Sequence, residues 1–494
     1  MNLRLISKVL GWLLLLNGVA MLACAAFAHW DLVEGESDAI AALSLAGGAT
    51  AAASVLLILA GIGKFEKIPR REAVMIVGLG WLLCGVFGGL PYIFCPPHLS
   101  PAGAFFESVS GYTTTGSTVF TDIEAWPRGL ILWRATTQWL GGLGILVLFV
   151  AVLAYVGVAS KSLFRNESSF RTDEAATARI RDTALMLWKV YLAITLVSVL
   201  GLRAMGLTWF NSVAHAFTAV STGGFSPHSQ SIGYYSGWGN GWLIELWLTV
   251  IMAACSMNFL IYVLIMRKSW KRLRQEEDGL WFFGICLFCV VAIATGIAAQ
   301  GQASFWNGLR QASFTVVSIA STTGFGTADY ERWPIYGQAL LAFLMIVGGC
   351  SGSTAGGIKT GRLLVFLKSA RYDIVRAFRP NHVFRMSVNG NPIADRERMH
   401  TLLFVTLYLM IIAVSAVAVA TLEAGTAVSL ETSLGSVLAT LSNIGPGFGS
   451  VGPTENFAHL RPATQVFLGM LMVLGRLELF AILVLFVPSA WRRY

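Results

Sequence analysis

The stretch FWNGLRQASFTVVSIASTTGFG, residues 305–326, begins with an apolar run, Phe305 to Ala320, that stops short of the roughly 20 residues a helix needs to cross a bilayer. It leads directly into a small polar cluster, Ser321-Thr322-Thr323-Gly324, as a segment does that enters the membrane and turns back. Three other segments have the same form: Ala104 to Tyr112 before Thr113-Thr114-Thr115-Gly116, Phe210 to Val220 before Ser221-Thr222-Gly223, and Leu430 to Leu441 before Ser442-Asn443-Ile444-Gly445. A glycine closes each cluster. The glycines at 116, 223, 324 and 445 stand roughly 100 to 120 residues apart, far beyond the period of solenoid repeats.

Longer apolar runs lie outward from these segments. A spanning window places helices near 9–30, 40–62, 72–94, 130–157, 183–205, 241–266, 279–299, 338–366, 400–422 and 464–487. The half-length segments follow the third, fifth, seventh and ninth of these, so the unit of span, half-helix, loop and span recurs four times. The expected fold is an all-α polytopic membrane protein with four pseudo-symmetric repeats, 67–180, 181–275, 276–395 and 396–494, around a central pore. Two additional N-terminal helices fill 1–66.

Every second loop is basic: Lys64, Lys67, Arg70 and Arg71, then Lys161 to Arg181, Arg267 to Arg274, Arg362 to Arg398, and Arg492 with Arg493. The loop with Asp31, Glu34, Glu36 and Asp38 is acidic, so the positive-inside rule places both termini in the cytoplasm.

Composition agrees with this. The chain has 494 residues, 55% hydrophobic and 12% charged, where a soluble domain carries about 25% charged residues. Its mean hydropathy is +0.67. The net charge of +9 is gathered in short segments between apolar runs, a pattern of membrane topology and not of nucleic-acid binding. Seven cysteines without regular spacing make no disulfide framework; Cys286 and Cys289 form a C-x-x-C in a wholly apolar context and read as packing. Arg4, Lys8 and the apolar run from Leu10 to Ala28 imitate a secretory signal, but a run of about 20 residues exceeds the usual signal core, so a retained span is expected.

Non-helical backbone is tolerated at membrane depth only where protein buries it or where it lines water. Four such loops at equivalent positions are therefore expected to converge on one pore. Dehydrating a potassium ion requires a ring of oxygens in place of its water, and backbone carbonyls from four loops supply one. Glycine lets those carbonyls turn inward. The half-helices would aim their C-terminal ends, each worth about −0.5 of a charge, at the pore axis, which favours a cation.

The strings TTTGST, STGGFS, STTGFG and SNIGPGFG resemble the four selectivity filters of the Trk/Ktr/HKT superfamily of cation transporters, and the resemblance runs from about residue 72 to the C-terminus. The two extra N-terminal helices look more like the bacterial Trk membrane subunit than the shorter Ktr one. The resemblance implies a potassium filter at Thr114, Thr115, Gly116, Ser221, Thr222, Gly223, Thr322, Thr323, Gly324, Asn443, Ile444 and Gly445. In the superfamily, glycine in all four repeats goes with potassium preference, and serine in the first with sodium transport in plant relatives; here the first is Gly116. Asn443 and Ile444 depart from the T-x-G pattern, and a divergent last filter is usual in these transporters. The resemblance further implies a bacterial inner-membrane location, a homodimer with one pore per protomer, and a cytoplasmic nucleotide-binding regulatory subunit, with K+ as the transported ion and no organic cofactor in this chain.

The eighth apolar run contains GGCSGSTAGG, residues 348–357, too rich in glycine to continue a straight helix. Ile358 interrupts any match to a phosphate loop, and no strand precedes it. The matching stretch in the superfamily is an intramembrane gate, which makes Gly348, Gly349, Gly352, Gly356 and Gly357 gate residues by resemblance. Arg476 lies near the middle of the last apolar run, where a charge costs about 2.5–3.5 kcal/mol to insert. Two readings stand: a buried arginine satisfying carbonyls of a broken neighbouring helix, or a cavity-facing charge that holds the glycine-rich loop closed. Glu478, two residues on, faces elsewhere. Glu107 and Glu431 read as helix-end residues or as cation attractors, His215 as a hydrogen-bonded packing residue, and Lys359 as the cytoplasmic end of its span.

Competing functions are a sodium or ammonium pathway on the same scaffold, a polytopic membrane enzyme, and a non-conducting scaffold docked through Arg362 to Arg398. The chain is expected not to be an enzyme, because titratable groups do not gather at one depth.

Overall fold

The computed structural model describes residues 2–31, 36–63, 69–142, 177–379, 386–477 and 479. The fold is helical, with one short hairpin of β1 (Ser387–Val388) and β2 (Asn391–Pro392) among the described residues. Six described helices are long and apolar enough to cross a membrane, seven if one bent pair counts as a single span. Leu196, Leu200, Val250, Leu287, Phe288, Val414 and Val417 are exposed along them. An outward apolar surface of this kind is costly in water and suits lipid.

The N-terminal pair, α1 (Leu3–Asp31) and α2 (Glu36–Ala60), packs closely together and braces the first repeat. From α1, Asn17 accepts a 2.6 Å hydrogen bond from the Tyr112 hydroxyl. From α2, the Glu36 carboxylate accepts from the amides of Arg128 and Gly129 and so caps a later helix. Repeat 1 comprises α3 (Arg70–Gly88), α4 (Leu90–Phe94), the half-helix α5 (Pro101–Tyr112) and α6 (Arg128–Gly142). Repeat 2 has α7 (Thr177–Ala204), the half-helix α8 (Trp209–Val220), then α9 (Gly241–Cys255), α10 (Phe259–Met266) and α11 (Trp270–Leu273). Repeat 3 has α12 (Glu277–Ala299), α13 (Phe305–Ala320), α14 (Ile335–Val347) and α15 (Thr360–Phe378). Repeat 4 has α16 (Asp395–Leu422), α17 (Leu430–Leu441) and α18 (Pro462–Arg476).

Each half-helix starts on a hydroxyl cap. Ser100, Thr208, Ser304 and Ser429 accept from the amides of Gly103, Asn211, Asn307 and Thr432. These bonds satisfy donors that a helix start leaves free. The third half-helix is one turn longer than the others.

The span expected at 241–266 is not continuous. It breaks at Ser256-Met257-Asn258, where α9 and α10 meet at 86°. No glycine or proline marks the break; instead the Asn258 side chain accepts from the Leu260 amide and starts a new helix. Asn258→Ala is expected to cost about 0.5–2 kcal/mol, seen as a lower thermal midpoint of the purified protein; an unchanged midpoint would remove the cap from this account. The run expected at 338–366 breaks as its glycines predict, between α14 and α15. The distal parts of the spans expected at 130–157 and 464–487, and Glu478, lie outside the described residues.

Candidate ion-conducting site

The four half-helices end alike. Thr113, Ser221, Ser321 and Ser442 close them, and the next residue in each, Thr114, Thr222, Thr322 and Asn443, is left-handed with φ of 53 to 56°. A β-branched residue there is a backbone outlier, costing about 1–3 kcal/mol, of the kind that clusters at functional sites. The following amides, of Thr115, Gly223, Thr323 and Ile444, bond back to the carbonyls of Ser110, Thr218, Ser318 and Ala439 at 2.8–2.9 Å. Then comes a glycine of positive φ: Gly116 (86°), Gly224 (77°), Gly324 (79°) and Gly445 (108°).

These loops close into a ring. A Cβ on Gly116 would lie 2.2 Å from the Gly223 carbonyl oxygen, on Gly224 1.8 Å from that of Thr323, on Gly324 1.9 Å from that of Ile444, and on Gly445 2.9 Å from that of Thr115. Each repeat thus presents one carbonyl to the glycine of its neighbour, and the fourth returns to the first. Contacts between the first and fourth loops complete it: Ser117 Oγ donates to Gly445 O at 2.8 Å and Asn443 Nδ2 to Thr115 Oγ1 at 2.8 Å.

The ring corrects the sequence register. Aligning the clusters on their first glycine matched Gly223 to Gly116; the structure matches Gly224, and Gly223 stands where the other loops carry Thr115, Thr323 and Ile444. The hydroxyl caps carried the signal, since Thr208 precedes Thr222 by the same interval as Ser100 precedes Thr114 and Ser429 precedes Asn443.

Beneath the ring lies the glycine-rich segment 348–357. Its ends meet: Ile358 N donates to Ile346 O, Lys359 N to Val347 O and Thr360 N to Gly349 O, and a Cβ on Gly348 would fall 2.2 Å from Gly356 O. Larger residues would hold that hairpin open. The segment touches three of the four loops. Thr354 Oγ1 accepts from Thr222 Oγ1 at 3.1 Å, Gly356 N donates to Thr322 Oγ1 at 2.8 Å, and Gly356 packs against Ser442 O. The break between α9 and α10 holds it from the side, with Cys350 N donating to Ser256 O and Phe259 N to Gly352 O. At its outer edge Ser351 N donates to the Asp278 carboxylate at 3.0 Å.

Arg476 is the last residue of α18. Its Nη1 donates to Thr354 O at 2.6 Å, and its Nη2 to Gly141 O at 2.7 Å and Gly142 O at 2.9 Å. One guanidinium therefore ties the glycine-rich segment to Gly141 and Gly142 of α6.

Glu107 neither caps a helix end nor faces the mouth. It is buried, takes a 2.5 Å ion pair from Arg134 Nε, and accepts from Thr118 Oγ1 and Val119 N. Arg134 also donates to Ser226 O and lies 3.5 Å from the Phe225 ring centroid, so a satisfied buried pair joins the first two loops from behind. Glu431 is exposed in the first turn of α17. His215 is buried with Nε2 at 3.2 Å from the Tyr235 hydroxyl, consistent with packing. Lys359 is the N-cap residue of α15, buried and with φ of 75°. Glu124 and His228 join the polar loops of repeats 1 and 2; burial works against the Glu124 charge, yet hydrogen bonds from the Ser229 hydroxyl and amide and the nearby His228 hold its carboxyl below the ordinary range.

The model of the TrkH family, described as cation transport protein, matches residues 50–299 and 302–493. The Trk system potassium uptake protein TrkH of Halomonas elongata is 33% identical over 506 residues, covering 100% of both chains. That of Escherichia coli K12 is 35% identical over 430 residues, covering 86% of this chain and 87% of its own. The crystal structure of the potassium transporter TrkH from Vibrio parahaemolyticus superposes with a TM-score of 0.86 at 27% identity, covering 100% of both chains. This multi-pass membrane chain belongs to the TrkH family of cation transport proteins.

Proposed function

We propose that this chain passes potassium ions across the membrane through the ring formed by the carbonyls of Thr115, Gly223, Thr323 and Ile444. The observation that carries the reading is the closed sequence of carbonyl against glycine through all four repeats. Four inward oxygens with the negative ends of four half-helices behind them replace the hydration shell of a monovalent cation and repel an anion. Thr114, Thr222, Thr322, Asn443 and Ser221 hold the loops in place, and Gly116, Gly224, Gly324 and Gly445 provide the room. The relatives named as potassium uptake proteins make K+ the cargo of choice over Na+.

Gly348, Gly349, Gly352, Gly356 and Gly357 form the gate in this reading, with Arg476 as its latch; the contacts of the segment with the loops of repeats 2, 3 and 4 support it. The protein sits in the bacterial inner membrane with both termini in the cytoplasm, pairs as a homodimer, and answers to a cytoplasmic nucleotide-binding subunit of the Trk system. The basic loops support the orientation.

The test is radioactive rubidium uptake into proteoliposomes holding the purified protein, with excess unlabelled potassium or sodium. Potassium is expected to compete and sodium not. Gly116→Ser pushes the Gly223 carbonyl aside, and the preference is expected to fall by about tenfold, the equivalent of about 1.4 kcal/mol. Equal competition by sodium in the wild type would favour a sodium pathway on the same scaffold, and an unaltered preference in Gly116→Ser would remove the ring from selection.

A further inference from the structure

We infer that Gln138, on α6 of repeat 1, is a positioning residue for the ion-selecting carbonyl of repeat 2, standing in for a threonine hydroxyl which that loop lacks. This rests on the carbonyl ring being the filter. Three of the four loops carry a side chain at the carbonyl position, and in two of them it is a threonine braced within its own loop. Thr115 Oγ1 lies 2.7 Å from Thr113 Oγ1, and Thr323 Oγ1 lies 2.7 Å from Ser321 Oγ. In the fourth, Ser442 Oγ is held by the Tyr408 hydroxyl at 2.8 Å. Repeat 2 has Gly223 at this position, so Ser221 has no hydroxyl partner two residues on; its Oγ keeps the bond to Thr218 O that Ser321 Oγ likewise makes to Ser318 O.

The Gln138 carboxamide occupies the vacated space. A Cβ on Gly223 would lie 2.4–2.8 Å from the Gln138 amide carbon, oxygen and nitrogen. Gln138 is fully buried and uses both ends of its amide: Nε2 donates to Gly223 O at 2.6 Å, and Oε1 accepts from Phe225 N at 3.0 Å. The clamp spans the positive-φ Gly224 and fixes the peptide planes on either side of it. It also draws on the same carbonyl oxygen that faces Gly116. The Gly223 oxygen is thereby held in place by a neutral donor from another repeat, and its share of charge available to an ion is set by Gln138.

Gln138→Ala is expected to lower the preference for potassium over sodium by about three- to tenfold, the effect of losing one buried hydrogen bond. Gly223→Thr alone collides with Gln138 and is expected to lose uptake. The double variant Gln138→Ala with Gly223→Thr opens the space and restores the threonine–serine pair with Ser221, and its preference is expected to return to within about twofold of the wild type, a coupling that independent sites would not show. The isosteric Gln138→Glu cannot donate when ionised and should also lose preference.

The measurement is rubidium uptake, with potassium and sodium as competitors, in bacteria deficient in potassium uptake and expressing the full chain, normalised to folded protein by size-exclusion chromatography. A merely structural glutamine would change the amount of folded protein and leave the ratio alone. If Gln138→Glu keeps the wild-type ratio while Gly116→Ser loses it, the role of Gln138 is overturned and the filter stands. If both keep it, the filter reading itself fails. If the double variant is no better than Gln138→Ala, the substitution of amide for hydroxyl is wrong.

Discussion

Gly224→Ala is expected to reduce rubidium uptake to background, whereas Gly223→Ala, one residue earlier, retains transport. The two glycines are adjacent in the sequence, but they meet different surroundings. At Gly224 the backbone has φ of 77°, a region that costs an L-residue about 1–2 kcal/mol. The new Cβ would also lie 1.8 Å from the carbonyl oxygen of Thr323, which belongs to the ring and is held from behind by its own loop. Neither side can yield without moving a coordinating oxygen. At Gly223 the backbone is not left-handed, and the obstacle is the end of the Gln138 side chain, which can turn away. The expected signature of Gly223→Ala is therefore altered ion preference with uptake kept. Uptake assays at matched amounts of folded protein decide it: equal losses, or a greater loss at Gly223, would restore the register read from the first glycine.

That register shows where sequence reading reached its limit. The half-helices, their ends and the four polar clusters were legible because an apolar run shorter than a bilayer, ending in a small polar cluster with a glycine, recurred four times. The loop at 348–357 was legible because glycine at such density cannot continue a helix. The break at Ser256-Met257-Asn258 was not, since it rests on Asn258 acting as a cap and on Ser256 O being taken by Cys350 N from another repeat. The Glu107–Arg134 pair was likewise hidden, because partners brought together from two helices carry no local signature. Arg476 was recognised as a charge needing a reason, but which carbonyls it reaches depends on three repeats meeting, a fact of tertiary packing alone.

Removing that charge is expected to speed transport. Among the described residues, the Arg476 guanidinium donates to Thr354 O at 2.6 Å, which holds the glycine-rich segment, and to Gly141 O and Gly142 O, which anchor the arginine on α6. A hydrogen bond to a charged group contributes about 1.5–3 kcal/mol, so its loss shifts a closed-to-open equilibrium of the segment by roughly 10- to 100-fold. It also takes a positive charge from beneath the ring, where it opposes a passing cation. Arg476→Ala is therefore expected to raise rubidium uptake into proteoliposomes by at least about tenfold. Arg476→Lys, whose single ammonium lacks the planar fork needed to span α6 and the loop together, should fall between. The buried-arginine reading predicts otherwise: three carbonyls lose their donor, the thermal midpoint drops, and uptake at matched folded protein stays level or declines. A lower midpoint together with faster uptake would mean that the same side chain stabilises the fold and closes the pore, since the substitution removes the donors to Thr354 O and to Gly141 O and Gly142 O together.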